Sequence, residues 1–270
     1  MNENVDIFIC THTQPPKLPT NPVYKIVSQT EMKFDTDLPV YCIDKEKMGK
    51  WASMPRGLSE FYNIYYVRHF IEKKEYVGFA HYRTFFDFFD NVPDFNELFK
   101  EHDVVCIGVP HRSLDSIFKK CMELDTYQTI KDVVKEDFPE LWPDFCEFLS
   151  QQWFFCKNLF VMKTEQFNEI IDTTFEMLWK FLDRIECHTD EELYQRAIRL
   201  LEDGKCKHIR DKYLINPPTL ARFPAYAGEI FTAFFVWRNF KNRKVYRFIQ
   251  IGGPKPDVHE GEINKLKKIK

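Results

Sequence analysis

The segment "EYVGFAHYRTFFDFFD" (75–90) begins as a buried strand and ends in chemistry. Tyr76, Val77, Phe79 and Ala80 surround one glycine, and then, with no turn residue between, come His81, Tyr82 and Arg83. Arg83 offers a planar fork that can hold a phosphate or carboxylate through two hydrogen bonds. His81 can donate to a phosphate or shuttle a proton near neutral pH. Tyr82 can stack on a ring or donate its hydroxyl. Together the three suit a phosphorylated, ring-bearing ligand. The plainer alternative pairs Arg83 with Asp87 or Asp90 and leaves His81 as a satisfied core histidine. A second polar pair, Thr11 and His12, closes the β-rich run "VDIFICTH" (5–12).

Three further carboxylate features invite a reading. "FDTD" carries Asp35 and Asp37, a spacing that can hold Mg²⁺ or Mn²⁺, but the pair lies in a loop rather than at the end of a long apolar strand. Asp87 and Asp90 in "DFFD" are spaced too widely to share one metal, and a divalent cation stays an open question. Glu229 stands at the start of the apolar helix pattern "AGEIFTAFFVW". There it is either a first-turn carboxylate favoured by the helix dipole or a general base beside a cleft.

The elements around these residues set their geometry. Strand patterns at 5–12, 23–29, 76–82, 103–110, 158–162 and 245–251 alternate with helical ones, and several strands are apolar on both faces. That predicts an α/β fold with a mostly parallel sheet covered on both sides and a helical C-terminal part. In such sheets ligands sit beyond the carboxyl ends of the strands, so Thr11–His12 and His81–Arg83 are expected to face one cleft. The helix predicted over 58–74 has Ser59 as its N-cap. Pro143 is expected to interrupt a helix within "ELWPDFCEFLSQQ", and Thr164 to cap a long amphipathic one.

Composition narrows the classes. The chain has 270 residues, 44% hydrophobic and 29% charged, which suits one large globular domain, here placed at 1–255, followed by a basic tail at 256–270 expected to be mobile. The 27 phenylalanines are read first as core. A net charge of −3 argues against nucleic acid as the partner. No apolar run reaches the roughly 18 residues of a membrane span, leaving at most peripheral membrane contact. The eight cysteines form no CxxC pair and are expected as free thiols of a cytoplasmic protein. Nine glycines and no GxGxxG, GxxxxGKS or HExxH string argue against P-loop enzymes, dinucleotide dehydrogenases and zincins.

Five segments in order resemble one family: "ICTHT" (9–13), "GLSEFYNIYYVRHF" (57–70), "EYVGFAHYRTFF" (75–86), "KNLFVMKTEQFNEI" (157–170) and "AYAGEIFTAFFVWRN" (225–239). They are similar to the bacterial capsule and exopolysaccharide glycosyltransferase-like proteins with an HYRR-type motif, long catalogued as a domain of unknown function. The resemblance implies a GT-A-like nucleotide-sugar fold. It implies transfer of a sugar, from a UDP-sugar such as UDP-galactose, to a glycan or lipid-linked glycan acceptor of a surface polysaccharide. It places Thr11, His12, Ser59, Glu60, His81, Tyr82, Arg83 and Asn158 at the nucleotide-sugar and Glu229 in catalysis, as base if transfer inverts the anomeric centre. Arg83 and His81 are then expected to help or replace a metal. The departures are Thr84 for the second arginine of the motif, Thr13 for a lysine, and a different segment over 31–56 and at "CMELD" (121–125). They motivate the rival reading, a binding protein that kept the fold without its turnover.

Overall fold

The computed structural model describes residues 2–155, 157–209 and 215–251. Its strands are β1 Val5–Thr11, β2 Tyr24–Ser28, β3 Val40–Cys42, β4 Tyr76–His81, β5 Thr84–Phe86, β6 Val104–Ile107, β7 Val109–Pro110, β8 Trp153–Phe154, β9 Phe160–Lys163, β10 Arg243–Tyr246 and β11 Phe248–Gln250. Its α-helices are α1 Pro55–Leu58, α2 Glu60–Phe70, α3 Phe95–Glu101, α4 Leu114–Cys121, α5 Leu124–Asp132, α6 Trp142–Ser150, α7 Thr164–Ile185, α8 Asp190–Glu202, α9 Pro217–Leu220 and α10 Phe223–Asn239.

The central sheet runs β10-β6-β9-β4-β1-β2-β3. β1 is parallel to β2 and β4, β2 to β3, and β6 to β10. β9 alone on this path opposes its neighbours β4 and β6. The chain comes down from β8 and reverses through the left-handed residues Lys157 (φ 64°) and Asn158 (φ 49°). It therefore enters β9 at the end of the sheet where β4 and β6 leave it.

Period-two alternation puts apolar side chains on both faces. Phe8 and Cys10 join Phe79, Phe160 and Met162 in the larger core under α2, α7 and α10. Ile7 and Ile9 join Ala80, Val105 and Val161 in the second core, closed by Phe85, Phe86, Phe88 and Phe95. The phenylalanine surplus is therefore largely core. Asp6 is the one charge fully buried in β1, and Lys25 Nζ at 2.9 Å and Lys74 Nζ at 3.4 Å neutralise it.

Close packing makes Gly78 of β4 a sensitive point. A Cβ there would lie 2.6 Å from Val161 Cγ2 and 2.7 Å from the Phe160 carbonyl oxygen, and backbone cannot yield as a flexible side chain does. Gly78→Ala is expected to destabilise the fold by about 1–3 kcal/mol. A urea midpoint equal to wild type would show that the sheet relaxes around the methyl group.

Several element boundaries differ from the sequence expectation. α2 stops at Phe70, four residues early, because Ile71 is extended and Lys73 Nζ takes the free carbonyls of Val67, Arg68 and Ile71. Pro143 opens α6 instead of interrupting it, at a position where a missing N–H costs nothing. Lys163, not Thr164, holds the cap position of α7, and the Thr164 hydroxyl donates instead to the Lys74 carbonyl at 2.5 Å. The expected strand at 245–251 is two strands broken at Arg247, β10 on β6 and β11 on β5. The tail at 256–270 lies outside the described residues. Among the described residues the cysteines are free, and no helix is long and apolar enough to cross a membrane.

Candidate active site

The parallel pairing of β1 and β4 sets Cys10 opposite His81, so the two polar clusters leave the sheet side by side. The Tyr82 N–H donates to the Cys10 carbonyl at 3.1 Å. The rings of His12 and Tyr82 meet edge to face with centroids 4.9 Å apart. Arg83 lies over the Tyr82 ring at 4.6 Å and donates to its hydroxyl. Among the described residues the partner of Arg83 is Tyr82 rather than Asp87 or Asp90. Asp90 instead accepts from the Thr20 N–H at 2.7 Å, and Asp87 is exposed beside Arg247.

Thr11 has a local role. It is buried, and its hydroxyl donates to the Thr13 carbonyl and accepts the Thr13 N–H at 3.1 Å, shaping the loop that carries His12. Thr84, the other departure from the family pattern, is buried in β5 opposite His81 and Gln250. It sits in sheet packing and leaves Arg83 in place.

Below this rim lies an inner cluster around Glu60, the first residue of α2. Asn158 Nδ2 donates to Glu60 Oε1 at 3.2 Å, His81 Nε2 lies 4.0 Å from the same oxygen, and Arg222 lies 3.7 Å from Oε2. Burial alone would raise the Glu60 carboxyl. The charge of His81 when it is protonated, the Arg222 guanidinium, and hydrogen bonds from the backbone and Ser59 outweigh it and hold the group below the usual carboxylate range. His81 moves the other way from its charged form. Burial lowers its pKa, with Lys157 and Arg222 adding to the effect against the pull of Glu60. Its Nε2 is buried beside the Glu60 carboxylate and has no hydrogen-bond partner among the described residues.

Glu229 is not a first-turn carboxylate. α10 begins at Phe223, six residues earlier than Glu229, with Pro224 in its first turn. Phe223 to Ala227 are thus already helix, and the dipole account of Glu229 fails. Its carboxylate accepts the backbone N–H of Lys157. Burial raises its pKa and the nearby Glu60 anion raises it further, against Lys157 and Arg222. Two carboxyl groups in one site are thus pushed apart, Glu60 toward the anion and Glu229 toward the proton, the arrangement that separates acid–base roles.

Ser59 occupies the N-cap position of α2 without capping it. Its backbone is strained, at φ 52° and ψ −124°. Gln29 Nε2 donates to its carbonyl at 2.8 Å and Arg222 donates to its hydroxyl at 2.8 Å. Gln29 also donates to Asn63 Oδ1 at 2.8 Å, and Asn63 Nδ2 donates to the Val27 carbonyl at 2.7 Å. This buried polar chain fixes the start of α2 to the ends of β1 and β2. Ser59, Lys157 and Asn158 are three of the five non-glycine residues at positive φ among those described, and all three meet here.

Ser59, Glu60, His81, Asn158 and Glu229 therefore converge in the inner cluster, with Thr11, His12, Tyr82 and Arg83 on the rim. Arg222, Lys157, Gln29 and Asn63 belong to the same assembly and were not singled out from the sequence. Asn63, a polar residue inside the apolar run "FYNIYY", carried a legible signal, because a buried amide needs partners. Asp35 and Asp37 are exposed in the loop before β3, apart from this cluster. Among the described residues no three His, Cys, Asp or Glu side chains are grouped to hold a metal.

The architecture is a mostly parallel, GT-A-like α/β sheet covered by helices, with a polar cluster at its carboxyl edge. The solved structure of WbbM, a bifunctional glycosyltransferase in its apo form, superposes with a TM-score of 0.63 over 93% of this chain at 13% identity, and the chain spans 46% of that protein. The chain belongs to the family described as Domain of unknown function (DUF4422), whose profile matches residues 6–203. No curated protein matches it in sequence.

Proposed function

We propose that this protein is a glycosyltransferase of the hexosyl type. It moves a sugar from a UDP-sugar donor, UDP-galactose being one candidate, to a glycan or lipid-linked glycan in surface polysaccharide synthesis. The observation that carries the reading is the meeting of Arg222 and Lys157 with the carboxylates of Glu60 and Glu229 beyond the ends of β1 and β4, with Arg83 on the rim over Tyr82. Residues 1–255 act on this reading as one domain.

An inverting transfer assigns the parts as follows. The acceptor hydroxyl attacks the anomeric carbon while Glu229 takes its proton. The bond from that carbon to the diphosphate oxygen breaks, and the leaving charge is met by the guanidinium groups of Arg83 and Arg222. Glu60 stays ionised and holds Arg222 and Asn158 in place. His81, whose charged form burial disfavours, sits beside Glu60 at the floor of the donor site.

The reading is tested by calorimetric titration of UDP into the protein, paired with hydrolysis of a panel of UDP-sugars. UDP should bind, and at least one donor should turn over. Binding without turnover across donors and acceptors would favour the non-catalytic rival. Arg83→Lys is expected to weaken UDP by about 1–3 kcal/mol although the charge is kept, because lysine lacks the fork. An unchanged UDP affinity in that variant would remove Arg83 from the diphosphate site.

A further inference from the structure

A second opening adjoins this cluster and shares one residue with it. A cavity of ≈ 340 Å³ lies between α1, α8 and α9, walled by Arg56, Asp190, Glu191, Tyr194, Pro218 and Arg222. Arg222 is the partition, since its guanidinium donates to Ser59 Oγ at 2.8 Å and lies 3.7 Å from Glu60. Whatever fills the cavity therefore abuts the inner cluster through Arg222.

The chemistry of the walls selects the occupant. Two arginines face two acids, so the lining has no surplus positive charge to draw a diphosphate. Asp190 is committed to structure, its two oxygens accepting the N–H groups of Arg56 at 3.0 Å and Gly57 at 2.7 Å. Glu191 is exposed and gives one oxygen to Gln195 at 2.8 Å, leaving the other for a donor. Tyr194 is among the few large hydrophobic side chains left open, at 37% exposure. An open aromatic ring beside a carboxylate and a guanidinium matches a pyranose, which has an apolar C–H face and an edge of hydroxyls that both donate and accept. The volume is at the small end of the range of about 300–1,000 Å³ for ligand pockets, which suits one sugar unit with the rest of a chain in solvent.

We propose that this cavity is the acceptor subsite: it seats one neutral hexose of a glycan, its C–H face on Tyr194 and its hydroxyls on Glu191 and Arg222. The proposal rests on the glycosyltransferase reading for the word acceptor, while the glycan site itself does not. The probe is an array of neutral hexose oligosaccharides, with affinities of any hits measured by titration and UDP titrated separately. At least one neutral glycan should bind the wild-type protein. Tyr194→Ala should weaken that glycan by roughly 10-fold, the loss expected of an aromatic anchor, and Tyr194→Trp, which keeps the platform, should retain it. UDP affinity should be the same in all three. A glycan that binds Tyr194→Ala as tightly as wild type, or an array with no neutral hit, would overturn the subsite. Glycan binding that depends on Tyr194 in a protein that ignores UDP would keep the cavity and sink the glycosyltransferase reading instead.

Discussion

Glu229→Gln is expected to cut turnover by about 10²- to 10⁴-fold, the usual range for loss of a general base. The variant keeps the volume and an oxygen for the Lys157 N–H, so the contact that seats α10 against the 157–158 turn survives. UDP affinity should barely move. Stability should hold or rise, and the sign follows from linkage. The folded protein raises the Glu229 pKa through burial and Glu60, so it binds a proton more tightly than the unfolded chain. That contribution is present at low pH and is lost as pH rises through the folded pKa, which leaves the ionised carboxylate a net cost near neutrality. Glutamine removes that cost. The same shift predicts that wild-type activity falls on acidification at a pH above the ordinary carboxylate range. One variant carried through a kcat measurement, a pH profile and a melt decides the matter: full activity with an unmoved acid limb would send the search for the base elsewhere.

Arg222→Met should lower kcat by about 10²- to 10³-fold, the loss seen when one preorganised donor to a developing anion is removed. Methionine keeps much of the apolar stem, so the change isolates the guanidinium. Two further readouts separate a charge role from a merely structural one. His81 should regain basicity, because Arg222 is one of the charges that lower it. Glu60 should lose part of the support that holds it ionised, because Arg222 is the second of the two charges that do so. A histidine titration followed by NMR in the variant reads the first directly. A kcat within a factor of two of wild type would show that Arg83 and Lys157 carry the leaving charge without Arg222.

Part of this site was legible from one dimension. Apolar strands buried on both faces define a covered, mostly parallel sheet, and a covered parallel sheet leaves only its carboxyl edge for a ligand. The polar residues that end β1 and β4 therefore had one place to go, and the structure puts them there. The family resemblance added Ser59, Glu60 and Asn158 as candidates, and all three reach the cluster that holds Glu229. Periodicity also found the helices, because α7 and α8 each bury a single apolar stripe.

What the chain alone left undecided was how those residues address one another. α10 starts six residues before Glu229, and periodicity cannot see that start because the helix is buried nearly all round and has no polar face to mark it. The reversal of β9 depends on two left-handed residues that are neither glycine nor both asparagine. The pairings that tune the site join Asn158 to Glu60 across 98 residues and Arg222 to Ser59 across 163. Local sequence carries propensity and amphipathic pattern, which are short-range, whereas a pKa is set by charges and burial that only the folded chain brings within a few ångströms.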